Sequence, residues 1–129
     1  MFLPHSHDKG ALQPWEYLPA AAGTYQVGQL LDVTGGKLTA ISAAKTTTPA
    51  YVCMAKKTVE ADEILPVQRI AKDVIYETHL SAEAEAATVG TKLRISAGGM
   101  KADAGAAGTF EVVYIEGTTE GAVVRGRFQ

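Results

Sequence analysis

The run VGQLLDVTGGKLTA, from Val27 to Ala40, returns as VGTKLRISAGGMKA, from Val89 to Ala102, with one residue inserted. Each copy reads Val-Gly, an alternating apolar and polar stretch, Gly-Gly, and a return stretch. Alternation over so few residues is the period of a half-buried strand. A glycine pair between two such stretches marks a hairpin, because glycine enters the positive-φ region that a tight turn requires at little steric cost. Gly35, Gly36, Gly98 and Gly99 are therefore read as turn glycines. Two hairpins of one shape can face each other and hide sheet edges that would otherwise recruit other chains. A solenoid is excluded, since two copies this far apart do not match any solenoid period.

The rest of the chain from Thr24 onward continues in short β-type runs. TPAYVCMA is a continuous apolar run and predicts a strand buried on both faces. In EILPVQRIAKDVIYETHL the apolar spacing could mimic a helix, but Val, Ile and Tyr dominate and Pro66 interrupts, so two strands, LPVQRI and VIYETHL, are favoured over one helix. SAEAEAAT is either a turn of helix capped by Ser81 or a solvated loop. TFEVVYIEG is the strongest β segment, Gly117 to Gly121 is its closing turn, and AVVRGRF completes the series. The expected fold is mainly β: a small β-barrel or β-sandwich of tulip-like outline, built from two related hairpin units. It carries an extended N-terminal arm and at most one short helix.

That arm, residues 1–23, differs from the single β domain expected over 24–129. It holds three of the five prolines, the only tryptophan and two of the three histidines. Pro4, Pro14 and Pro19 argue against helix, yet large apolar groups recur. Two readings stand: an arm that docks on another molecule, or an edge segment folded over its own domain. In the first, Phe2, Leu3, Pro4, Trp15, Tyr17 and Leu18 are the partner-binding residues, and removing residues 1–20 leaves a folded domain that no longer attaches.

Chemistry is sparse. With 129 residues, 20% charged and a formal net charge of −2, the chain is one ordinary globular domain without the basic surplus of a nucleic-acid binder. No stretch approaches a membrane-spanning length, and MFLPHSHDKG lacks the pattern of a secretory signal, so synthesis in the cytosol is expected. Cys53 cannot form an internal disulfide and reads as a buried, inert thiol. His5 and His7 are two apart, with His79 and Cys53 far away in sequence, so no zinc spacing arises and no metal or cofactor is expected. The carboxylates at Glu60, Asp62, Glu63 and at Glu83, Glu85 lack surrounding aromatics for a sugar cleft and read as solvated loop charge. Neither Gly-Gly pair lies between a strand and a helix, as a phosphate loop requires. The tetrapeptide HSHD cannot supply the geometry of a catalytic triad. No enzymatic activity is expected.

The arm MFLPHSHDKGALQPWEYLP, the stretch TYQVGQLLDVTGGKL, the later VGTKLRISAGGMK and the strand GTFEVVYIEG together resemble the head decoration, or capsid cement, proteins of tailed bacteriophages. The resemblance implies a structural virion protein on the outer surface of a capsid, bound to the major capsid protein as a homotrimer. It would stabilise the shell by clamping neighbouring subunits. The alternative is a small β-barrel that binds single-stranded nucleic acid or another ligand through stacking aromatics.

Overall fold

The structure is a computed structural model and describes residues 1–7 and 13–129; the part of the arm between them lies outside the described residues. Thirteen strands follow one another with no helix among the described residues: β1 (Leu3–His7), β2 (Trp15–Pro19), β3 (Gly23–Tyr25), β4 (Leu30–Thr34), β5 (Lys37–Ala40), β6 (Tyr51–Cys53), β7 (Lys57–Val59), β8 (Ile64–Arg69), β9 (Val74–His79), β10 (Lys92–Ile95), β11 (Ala102–Ala107), β12 (Phe110–Ile115) and β13 (Val123–Phe128). They form a six-stranded sheet in the order β1-β9-β13-β12-β10-β11, a five-stranded sheet in the order β2-β8-β6-β4-β5, and the pair β3-β7. The fold is thus all-β and sandwich-like rather than a closed barrel. The five-stranded sheet curls until Ala20, just past β2, bridges Leu38 on β5, and this single bridge joins its two ends.

The repeat seen in the sequence extends over nearly the whole chain. Replacing β2, β4, β5, β6 and β8 by β9, β10, β11, β12 and β13 converts the order of the five-stranded sheet into that of the six-stranded sheet without β1. The registers coincide as well. Leu18 lies opposite Leu65, Tyr17 opposite Pro66 and Glu16 opposite Val67; in the second unit Thr78 lies opposite Val124, Glu77 opposite Arg125 and Tyr76 opposite Gly126. Ala20 bridges Leu38 in parallel, and Leu80 bridges Ala102 in parallel. The Gly28 amide donates to the Cys53 carbonyl and the Gly90 amide to the Val112 carbonyl, each at 2.8 Å. The Asp62 amide donates to Ala20 and the Gly121 amide to Leu80, with Asp62 at φ 70° and Gly121 at φ 84°. Residues 15–69 and 74–128 are therefore two copies of one five-stranded unit, and the glycine motif is the part of it that survives at the level of sequence.

The units stack in one direction. The inner face of the first unit carries Leu31, Leu38, Tyr51, Cys53, Leu65 and Val67. It is covered by Tyr25 and Val59 from the β3-β7 pair. Its outer face carries Leu30 and Val52, which pack with Ile41 into the second unit's inner face of Tyr76, Leu93, Ile95, Phe110, Val112, Val124 and Phe128. Val52 thus faces one core while Tyr51 and Cys53 face the other, as expected for a strand apolar throughout. Where the first unit has β3, the second has the SAEAEAAT loop. The Ala84 amide donates to the Thr118 carbonyl at 2.7 Å, and Ala84 and Ala87 are buried. Tertiary pairing of this loop outweighs the helix propensity of its alanines.

The N-terminal arm is extended where it is described, but it does not stand outside the body. β1 pairs with β9 and β2 with β8, each as the first strand of its sheet. Phe2 is 0% exposed and sits edge-on to Phe110 at 5.5 Å and tilted against Phe128 at 6.0 Å. Its amide donates to the Gly28 carbonyl at 2.8 Å. The second of the two readings of this segment, an edge folded over its own domain, is the one observed.

Candidate functional site

Strand β2 alternates strictly. Glu16 and Leu18 turn toward the first core, where Leu18 packs beneath it and Glu16 holds Arg69 through two bonds of 3.2 Å. Arg69 also donates to the Tyr51 hydroxyl at 2.9 Å and lies 5.1 Å from that ring's centre. The bond to Glu16 first, with Tyr51 and the Glu16 charge close by, holds the guanidinium above its already high ordinary value. Trp15, Tyr17 and Pro19 consequently point the other way. Trp15 is 49% and Tyr17 64% exposed. The register sets Tyr17 against Pro66 and Pro19 against the exposed Ile64, so five apolar side chains share one patch across β2 and β8, with the Lys57 ammonium at its border, 2.9 Å from the Ile64 carbonyl. Isolated exposed apolar groups are ordinary on a protein surface, and a contiguous patch with two aromatics is a candidate contact surface. Beneath it the Gln68 amide donates to the Gln13 carbonyl at 2.6 Å, which fixes the approach of the chain to Trp15.

Of the six residues proposed from sequence, Trp15 and Tyr17 meet in this patch. Phe2 and Leu18 are turned into the two cores and are corrected as surface anchors, because strand alternation sends every second side chain inward. Leu3 is exposed on the other sheet, opposite Glu77, and Pro4 is half-buried opposite Tyr76. Ile64, Pro66 and Pro19 were missed. Their signal was Pro66 within a strand, since a proline tolerated there implies a neighbour that does not need its amide. All four turn glycines have positive φ, Gly35 at 60°, Gly36 at 80°, Gly98 at 91° and Gly99 at 71°.

The residues weighed for chemistry have structural neighbours. Cys53 is buried and donates to the Ala55 carbonyl at 3.1 Å, and burial pushes its thiol up, away from a reactive thiolate. Among the described residues no three His, Cys, Asp or Glu side chains are placed to hold a metal. Asp62 pairs with Lys37 at 2.7 Å, and the Glu63 carboxylate accepts the Glu60 amide at 2.6 Å. Glu83 and Glu85 instead line a groove of about 560 Å³ between the 82–87 loop and the Arg94–Asp103 ion pair, whose charged atoms are 3.1 Å apart.

Partial burial works to raise the Asp103 carboxyl, but the Gly105 amide, Arg94 and Ser81 outweigh it and hold the group below its ordinary value. A carboxylate depressed in the folded state adds stability that is present above its unfolded pKa and lost as pH falls through the folded one. Urea midpoints measured from about pH 5 down to about pH 2 should therefore fall more steeply for the wild type than for Asp103→Asn. Parallel curves would show that the pair contributes nothing to folding.

No family model matches the chain, and no curated protein is recovered as a relative.

Proposed function

We propose that this chain is a structural, non-enzymatic protein that binds the outer surface of a bacteriophage capsid and stabilises the shell by clamping neighbouring copies of the major capsid protein, itself acting as a homotrimer on the virion. The observation that carries the reading is the pair Trp15 and Tyr17, held exposed on an edge strand within an apolar patch. Aromatic side chains dominate the energetics of protein contacts because they bury much apolar area at low entropic cost. Many copies on one shell reinforce one another, so each contact can be modest. The family resemblance of the arm and hairpins supplies the identity of the partner. The alternative, bases stacked on these aromatics, calls for cations beside them. Arg69, the nearest along the ladder, is turned to the opposite face and engaged by Glu16, and Lys57, at the far end of the patch beside Ile64, is a single cation and no groove.

The test is co-sedimentation with expanded capsids. Trp15→Ala/Tyr17→Ala should weaken attachment by roughly 100-fold, at about 1.4 kcal/mol per factor of ten for two central aromatics. Attachment unchanged by the double substitution would overturn the proposal. Binding to oligonucleotides that weakens steeply with salt would favour the alternative.

A further inference from the structure

The two units differ at one edge. In the second, the outer edge of its first strand, β9, is occupied: β1 runs antiparallel along it with Leu3 opposite Glu77, Pro4 opposite Tyr76, Ser6 opposite Ile75 and His7 opposite Val74. In the first unit the equivalent strand is β2, and among the described residues no strand lies along the matching stretch of its outer edge. The orientation of the backbone there follows from the ladder. The Ala20 amide donates inward to the Glu63 carbonyl, so the amides of Leu18 and Glu16, two and four residues earlier, also face β8. Those of Trp15 and Tyr17 face outward. The same holds for β9, where the Leu80 amide donates inward to Ala122 and the amides of Ile75 and Glu77 face β1. Trp15 and Tyr17 therefore stand where Ile75 and Glu77 stand. Beyond Pro19 both edges are closed by the corresponding bridges, Ala20 to Leu38 and Leu80 to Ala102.

We infer that the Trp15–Tyr17 edge of β2 is a strand-acceptor site that takes an extended, uncharged segment of a partner protein, antiparallel and in the register that β1 takes on β9. Backbone bonds to the outward amides and carbonyls of Trp15 and Tyr17 supply the affinity, and the side chains of the same residues cover the incoming strand. Over Trp15–Leu18 this edge has no lysine, no proline and no bulge, and the one charge, Glu16, points inward and is paired with Arg69. The guard it does carry, Pro19, stands at its far end, where the bridge from Ala20 to Leu38 begins. The occupant is a different protein rather than the β1 strand of a second copy, because β1 is already seated on β9 with Phe2 buried beneath it. The inference rests on the protein-binding reading above and gives it a mode: the partner contributes the strand.

The probe is the chain's own edge strand in trans, a capped peptide FLPHSH, added to the full-length protein. Trp15 is the only tryptophan and lies at the site, so its emission reports docking directly. Saturable blue-shifted emission is expected, together with at least tenfold slower hydrogen exchange of the Trp15 and Tyr17 amides. Tyr17→Pro removes the outward donor along with the ring, at a strand position whose partner is itself Pro66, and should abolish peptide binding while leaving the circular dichroism unchanged. Tyr17→Ala keeps the donor and loses only the covering ring, so it should still bind, about tenfold more weakly than wild type. No spectral shift, equal binding by Tyr17→Pro, or a concentration-dependent dimer blocked by the peptide each overturns the inference. Capsid co-sedimentation separates the two claims. If Tyr17→Pro attaches to capsids as tightly as Tyr17→Ala does, capsid binding stands and strand acceptance falls. If the peptide binds but capsids do not, the strand site stands and the choice of partner falls.

Discussion

Phe2→Ala is expected to destabilise the protein by about 3–5 kcal/mol, the usual consequence of truncating a fully buried aromatic. Phe2 packs against both Phe110 and Phe128, whose rings are 5.0 Å apart, and Phe128 packs in turn against Tyr76 at 5.6 Å. Truncation removes the ring that closes this aromatic cluster at the sheet's edge. Its backbone stays anchored to Gly28, so the surrounding strands have little freedom to collapse into the space. Total stability for a domain of this size is about 5–15 kcal/mol, so a large share of it depends on one residue near the N-terminus. Leu3→Ala, one position on but exposed, should stay within about 0.5 kcal/mol of wild type. Urea unfolding followed by circular dichroism checks both; a Phe2→Ala midpoint equal to that of Leu3→Ala would show that the segment is dispensable. Deleting residues 1–20 should likewise abolish cooperative folding, since it strips the first strand from both sheets. That reverses the outcome expected of a free arm.

The arm misled because proline content reports on conformation and not on location. Pro4, Pro14 and Pro19 do argue against helix, and the segment is extended where it is described. Whether an extended segment is free or seated depends on its acceptor, here Gly28, β9 and β8, which lie elsewhere in the chain. The strands were legible where one face or both were buried: Val74, Tyr76 and Thr78 alternate inward on β9, and Ile64–Arg69 and Val74–His79 are two strands on either side of a turn. The duplication was legible only between Val27 and Ala40, where a turn demands glycine. Outside it, Tyr51 stands where Phe110 stands and Cys53 where Val112 stands. A strand accepts any apolar residue of fitting size at such positions, so register outlives identity. The surface patch was half legible, for Trp15 and Tyr17 belong to one run while Ile64 and Pro66 join them only through the ladder.

The glycine pairs look alike in sequence yet bear different loads, and this sets up the second large effect. Gly35 and Gly36 form a two-residue turn with positive φ at both positions, and a Cβ on either would meet nothing within 4 Å. Gly98 is equally open. Gly99 is not: a Cβ there would lie 2.6 Å from the Leu30 carbonyl oxygen and 3.3 Å from its amide nitrogen. That amide donates to the Gly99 carbonyl at 2.8 Å, so the second hairpin's turn is bonded to the first hairpin's opening strand. The stacking of the units brings the second copy's turn against the first, while the first copy's turn points into solvent. Gly98→Ala and Gly36→Ala should therefore cost only the left-handed penalty, about 1–2 kcal/mol. Gly99→Ala adds an overlap with backbone that cannot swing aside as a side chain would, a further 1–3 kcal/mol by the measure of overpacked cores, for about 2–5 kcal/mol in all. Thermal melts of the three variants side by side decide the matter. Three equal shifts would mean that the turn of the second hairpin carries no contact between the units, and that the bond from Leu30 to Gly99 contributes nothing to holding them together.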